Sequence, residues 1–371
     1  MNYQICTQCV MDTSDREITF DPQGVCCHCR SYDATVRDRL IKGERGRRKW
    51  ESLVDQVKFE GRKRRYDSVI GLSGGVDSSF LALEAARVGL RPLIVHVDAG
   101  WNSELAVSNI EAVLTATGFD LETLVVDWPA MRDLQLAYLR SGVLALDMPQ
   151  DHCFIAGVRQ FAREYGLRYN LTGSNLATES ILPRSWTWSP LDLRNMCDIA
   201  DSFGAGLDPR LPLVTTRDLY RDRLRGLRSL SPLDLLDYDK QEAIVSLTER
   251  GWRSYPRKHG ESRFTAFFQD YVLPHRWNID KRRAHLSSLI LSGQTSRSEA
   301  LDALTQPTIG SVEVAIEVDF VARKMEITSN ELESLLEGTK RGHLEFKHGH
   351  SAVVASVNRL GKRFIPSASK L

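Results

Sequence analysis

The sequence predicts an α/β fold: a doubly wound parallel sheet, with an amino-terminal cysteine-rich segment and a mainly helical carboxy-terminal region. Three observations predict it. Between residues 66 and 235, short apolar runs alternate with helical patterns. The first run, 69–72, leads straight into Ser73-Gly74-Gly75-Val76-Asp77-Ser78 and a helix-compatible stretch, which reads as strand, glycine turn, helix. Near Leu233 this rhythm stops and helical spacing takes over.

In chain order, residues 1–30 come first. Cys6-x2-Cys9 and Cys26-x2-Cys29 have the spacing of a zinc ribbon or knuckle, and four thiolates suit tetrahedral Zn²⁺. Cys6, Cys9, Cys26 and Cys29 are therefore the expected ligands of a closed, structural site. Cys27 and His28 lie between ligands and leave the third one open. A redox Cys-x-x-Cys would follow a strand, and none precedes Cys6. Residues 31–65 are charged and read as a helical linker with a solvated face, in preference to an RNA-binding arm.

The 66–235 domain then unfolds as strand 69–72, helix 78–88, strand 92–97, helix 104–117, strand 121–126, helices 130–140 and 155–165, and strand 169–172. Gly89, Gly118 and Gly166 stand where helix-ending glycines belong. Ligands of such sheets sit at the carboxyl ends of the strands. The chain there reads 73–78, 98–102, Asp127-Trp128 and 173–179. In the first of these, Gly74 and Gly75 permit positive φ and close approach of a phosphate, and Ser73 and Ser78 offer hydroxyls. Asp77 beside a phosphate needs a cation between them, so its simplest role is to hold Mg²⁺. His152 precedes an apolar helix. Cys153 and Cys197 lack a Cys-x-x-Cys partner and read as small hydrophobes.

The region 236–371 concentrates Lys258, His259, Glu261, Arg263, Lys281, Arg282, Arg283 and His285. These form either a solvated face or a lid whose cations meet phosphates. An amphipathic helix, 329–336, and a basic tail close the chain. The formal net charge of +1 argues against nucleic acid as the main partner. No apolar run is long enough to span a membrane, and MNYQICTQC lacks an export signal, so a cytoplasmic location and no membrane partner are expected.

SGGVDSS resembles the signature loop of the PP-loop ATP pyrophosphatases, which transfer AMP to a carbonyl or carboxyl oxygen. With the Cys6–Cys29 framework and the KHGES-x-FT, YVLP and DKRRAHLSSLI stretches, nearly the whole chain is similar to the N-acetyl sugar amidotransferase family. The resemblance implies ATP, Mg²⁺ and Zn²⁺ as cofactors and a nucleotide-linked N-acetyl sugar as substrate. Its acetamido oxygen would be adenylated and AMP displaced by ammonia from a partner glutaminase subunit. A homo-oligomer is compatible with the sequence. The implied catalytic residues are Asp77, Lys258, His259 and Glu261. The implied nucleotide contacts are Ser73, Gly74, Gly75, Asp77, Ser78, Val97, Asp98, Gly173, Lys281 and Arg283. Two departures stand out. Val76 occupies a loop position where relatives often carry Lys, and Ser174 and Ser180 depart from the pattern after the fourth strand. The alternative is a tRNA-modifying enzyme of the same superfamily.

Overall fold

The computed structural model describes residues 3–349, so most of the expected basic tail lies outside the described residues. Five parallel strands form one sheet in the order β3-β2-β1-β4-β5. They are β1 (Ser68–Gly71), β2 (Pro92–Asp98), β3 (Leu121–Val125), β4 (Tyr169–Leu171) and β5 (Arg228–Leu230). Four were legible as apolar runs. β5 was not, because Arg228 and Ser229 interrupt so short a run; its pairing with β4, Tyr169 opposite Arg228, makes it a strand.

Strand side chains alternate between the two faces. Ile70, Leu72 and Ile94 pack with Leu81, Ala85 and Ile110, from helices Val76–Arg87 and Glu104–Thr117. Val69, Leu93, Val95 and Val97 pack on the opposite face with Cys153 and Ala162 of helix Met148–Glu164. That helix starts seven residues before the expected 155, with Pro149 in its first turn. The sheet is thus covered on both faces, as a doubly wound fold requires.

The expected charged linker contains the helix Gly43–Gly61, and one of its faces is core: Trp50, Val54 and Val57 are buried. Trp50 Nε1 donates to Glu84 Oε1 at 2.9 Å. Its polar composition masks this stripe, since only the residues facing the sheet domain need be apolar.

The carboxy-terminal region is helical as expected. It opens with helix Lys240–Thr248; Arg263–Phe267, a π-helical turn at Phe268–Val272, and Leu273–Trp277 follow one another without a break, and Arg282–Ser292, Arg297–Thr305, Ser311–Lys324 and Ser329–Glu337 come after them among the described residues. One apolar core includes Cys6 and Cys29, Val69 of the sheet, and Phe264, Val321 and Leu332 of these helices.

Candidate functional site

The sheet reverses its direction of winding between β1 and β4, and the loops after these two strands frame the crevice where such folds bind ligands. The β1 loop is shaped from inside. Gly74 has φ +84°, and its carbonyl accepts from Trp252 Nε1 at 2.9 Å and Tyr255 OH at 3.0 Å. Gly75 does not use the left-handed region: at φ −71° it is the N-cap of helix Val76–Arg87. Its value is space, since a Cβ there would sit 3.3 Å from Ser73 Oγ and 3.4 Å from Glu261 Oε1. Ser73 Oγ and Ser78 Oγ lie 3.4 Å apart.

Asp77 Oδ1 accepts a very short hydrogen bond from Tyr238 OH and a second from Asn175 Nδ2 at 3.2 Å. Burial, then the Asp77 charge, raises Tyr238 above the ordinary tyrosine range, so it stays a donor. Gly173 brings β4 against this turn: a Cβ would meet Ser78 N at 2.7 Å and Asp77 C at 2.9 Å. The close approach that Gly173 permits is therefore to the loop backbone itself.

Two adjoining cavities open here. The first, about 660 Å³, is lined by Ser73, Gly75, Asp77, Ser78, Gly173 and Ser174. The second, about 580 Å³, takes in Val95, His96, Val97 and Asn102 from β2 and its loop, Asp147 and Asp151 from the start of helix Met148–Glu164, and Asp270, Asp280 and Lys281. Ser73, Glu179, Lys258, His259 and Glu261 line both.

That shared wall is a set of coupled charges. Lys258 Nζ lies 3.8 Å from Glu179 Oε1 and 3.2 Å from His285 Nδ1. Burial lowers the Lys258 ammonium from its usual range, with Glu179 opposing. Burial, followed by Lys258 and Lys240, drives His285 well below an ordinary imidazole. Neutral His285 with its proton on Nδ1 donates to the Thr178 carbonyl at 3.0 Å. Burial pushes the Glu261 carboxyl up, but His259, with Nδ1 3.6 Å away, and then Lys258 outweigh it and leave Glu261 below the usual carboxylate range. His259 holds φ +60°, a strained conformation for a non-glycine residue. Elsewhere in the lining of the second cavity, burial raises Asp151 well above its ordinary value, Asp147 adding to it, and raises Asp270 to about 6.

Most of the expected residues converge on this crevice. Gly74 lines neither cavity; it shapes the loop from behind. Asp98 lines neither as well: its Oδ1 accepts from Gly100 N at 2.7 Å and closes the turn after β2. Arg283 points the other way. It bonds the Val10 carbonyl at 2.9 Å and Asp12 Oδ2 at 3.0 Å, on the cysteine segment. The helical period explains this, because Lys281 and His285 share one side of the helix start and Arg283 falls on the other. Asn102 lies in the expected strand-end stretch 98–102, whereas His96, Asp147 and Asp151 had carried no signal. His96 is tied to the Leu72 carbonyl through Nδ1 at 2.9 Å and to Asn102 Nδ2 through Nε2 at 2.8 Å. His152, open at the sequence level, is structural: Nδ1 donates to the Pro190 carbonyl at 2.6 Å and Nε2 accepts from Val214 N at 3.1 Å.

The four cysteines meet as expected. Their sulfurs all lie within 4.8 Å of one another. Cys6–Cys29, Cys9–Cys26 and Cys26–Cys29 are 3.8, 3.7 and 3.6 Å apart. Tetrahedral Zn–S bonds of about 2.3 Å place sulfurs roughly 3.8 Å apart, so the set fits Zn²⁺. His28 is not part of the cluster: the four converging groups are the cysteines, and His28 Nε2 lies 2.7 Å from Asp15 Oδ2. Cys153 is buried and its thiol is pushed up to about 12 by desolvation; Cys197 is raised as well. Neither has the lowered pKa of a reactive thiol.

Comparisons bear on the two halves differently. Residues 261–360 match the family described as "LPS biosynthesis protein WbpG-like, C-terminal domain". No curated protein matches the chain. Among solved structures, NMN synthetase from Francisella tularensis is 14% identical, covering 63% of this chain and 96% of its own, with a TM-score of 0.29. The NH3-dependent NAD synthetase from Campylobacter jejuni subsp. jejuni is 11% identical, covering 72% and 99%, with a TM-score of 0.31. NAD+ synthetase from Burkholderia pseudomallei is 19% identical, covering 60% and 98%, with a TM-score of 0.31. At these scores the likeness adds nothing to what the strand order shows. The family match joins Glu261, Lys281 and His285 to a domain named for lipopolysaccharide biosynthesis.

Proposed function

We propose that this chain is an ATP-dependent amidotransferase. It adenylates the acetamido oxygen of a nucleotide-linked N-acetyl sugar and lets ammonia displace AMP, giving an acetamidino sugar for a surface glycan. The observation that carries the reading is the shared wall: Lys258, His259 and Glu261 stand between a cavity built on the serine-glycine loop and a second cavity rich in carboxylates. An amide carbonyl is a poor electrophile, so its oxygen has to become a leaving group before an amine can replace it. Two ligands must therefore meet at one wall.

In this reading the loop N–H groups, Ser73 and Ser78 receive phosphate oxygens at the start of helix Val76–Arg87. Asp77 would hold Mg²⁺, which offsets the charge of the departing pyrophosphate. The residues fit, because Asp77 lines the loop cavity while Tyr238 and Asn175 orient its carboxylate. Val97 receives the nucleoside side. Asp147, Asp151 and Asp270 accept hydrogen bonds from the hydroxyls of a sugar. Lys258 supplies the cation that Val76 does not. Glu261, kept ionised beside His259, takes the proton after ammonia attacks. Ammonia comes from a partner glutaminase.

The test is AMP and pyrophosphate release from ATP with ammonium chloride and a panel of UDP- and CMP-linked N-acetyl sugars. Release that depends on both ammonia and one sugar is expected, rising with pH as ammonium gives up its proton. No sugar-dependent AMP across the panel, with the glutaminase also present, would remove the proposal. Asp77→Asn should lower turnover by about 100-fold or more.

A further inference from the structure

We infer that the edge of the sheet opposite the crevice docks on an anionic phospholipid membrane. In an all-parallel sheet the strand starts share one edge, and so do the ends of the helices that lead into them. Here that edge carries the basic run 62–65 before β1, Arg91 before β2, Arg168 before β4, and Arg225 and Arg228 at β5. Hydrogen bonds make it one surface: Arg91 Nη2 donates to the Gly61 carbonyl at 3.2 Å, Tyr169 OH to Glu60 Oε1 at 2.8 Å, and Arg228 Nη1 to Tyr169 OH at 3.4 Å. The carboxylates among them are engaged: Asp67 with the Arg91 amide, Asp120 with Arg65 and Tyr66, Glu60 with Tyr169 and Arg168. Glu164 adds an exposed negative charge at the rim, and cations remain in excess.

Charge alone does not choose the partner; two apolar side chains do. Leu224, the last residue of helix Thr216–Leu224, is 88% exposed, and Phe59, near the end of helix Gly43–Gly61, is 65% exposed. Both stand at helix ends that lead into strand starts on the basic edge, and the Arg62 guanidinium lies 4.1 Å above the Phe59 ring. Apolar tips set among arginines match an interface where the tips enter the acyl boundary and the cations meet lipid phosphates. A nucleic-acid substrate would have to reach the crevice at the other edge of the sheet, and an aliphatic leucine offers a base no stacking surface. The expectation of no membrane partner rested on the lack of a spanning run; among the described residues no helix is long and apolar enough to cross a bilayer, and peripheral docking needs none. In this arrangement the crevice faces away from the lipid and stays open.

The full chain is sedimented with vesicles of phosphatidylcholine containing phosphatidylglycerol, and with phosphatidylcholine alone, at low and high salt. Binding to the anionic vesicles only, weakened by salt, is expected. Arg62→Glu with Lys63→Glu should weaken it about tenfold or more, and Leu224→Ser with Phe59→Ser by roughly tenfold. Unchanged melting temperature shows that each variant folds. Equal binding to neutral vesicles, or no binding at all, overturns the inference. So does loss on charge reversal with no effect of the serine variants, which would leave a purely electrostatic surface of the kind nucleic acid uses.

Discussion

Two single residues show how local chemistry sets behaviour. Gly173 is where the end of β4 meets the turn into helix Val76–Arg87, and the atoms a Cβ would strike are backbone, which cannot swing aside. Gly173→Ala is expected to cost about 1–3 kcal/mol of stability and to lower ATP turnover, both more than Gly310→Ala, where φ is −74° and a Cβ would come no nearer than 3.5 Å to Glu313 Oε2. Unfolding curves and AMP release of the two variants test this; equal effects would refute it. His343 is a pH-sensitive strut. Its Nδ1 donates to Asn195 Oδ1 at 2.8 Å, its Nε2 accepts from Ala145 N at 3.3 Å, and burial lowers its pKa from 6.5 to about 3. Between these values the unfolded chain binds a proton that the folded chain does not, so stability falls as pH drops from about 6.5 towards about 3. His152 and His285, both lowered, act in the same sense. Denaturant midpoints across that window should slope less in His343→Gln; an unchanged slope would show that the burial penalty lies elsewhere. At this scale the sequence was legible where a motif exists. Ser73–Ser78 and the four cysteines announced themselves by spacing, and Asn175 by its place in the strand end 173–179, whereas Tyr238, which also holds Asp77, and His96 and Asp147 lie far apart in the chain and have no pattern to read.

The helix Arg282–Ser292 is the element through which the cysteine segment reaches the crevice. Its Lys281 end and His285 face the second cavity. On the other side, Ser287 Oγ accepts from Val10 N at 3.2 Å and Arg283 bonds the Val10 carbonyl. Arg297, just beyond, donates to the carbonyls of Cys6 and Cys9 at 2.9–3.2 Å. A segment of this length cannot bury a core alone; it leans on the shared core, and a metal on the four cysteines would add folding energy. Cys9→Ser should abolish stoichiometric zinc, measured by elemental analysis, lower the melting temperature by several degrees and loosen the helix. Full zinc with an unchanged melting point would refute the site; zinc loss without protease sensitivity near Arg283 would refute the coupling. The cysteine spacing was legible in the sequence. Its docking was not, since Arg283 and Arg297 are indistinguishable in sequence from other cations of that stretch.

Across the whole molecule, two apolar cores sandwich the sheet, and each draws on distant parts of the chain. Trp50, from a stretch that reads as a charged linker, joins the core of one face, while Phe264 and Val321 join that of the other. Trp50→Ala should therefore destabilise the entire domain by about 3–5 kcal/mol, in one cooperative transition. A loss under about 1 kcal/mol would mean that the helix is an appendage. The same sheet separates the two edges. The carboxyl ends gather the crevice, and the strand starts gather the basic, apolar-tipped rim.

What the amino-acid sequence determined by itself was local. Apolar runs, helix-ending glycines, the loop 73–78 and the cysteine pairs each follow from backbone preference or from ligand chemistry over a few residues. The order β3-β2-β1-β4-β5, the use of Gly173 against the loop, the turning of Arg283 towards the cysteines and the meeting of Lys258, Glu261 and His285 were decided only by tertiary structure. The physical reason is that packing selects which side of a helix or strand faces inward. Residues of like chemistry, as close in the chain as Lys281 and Arg283, are then sent to opposite sides according to what each face must bury.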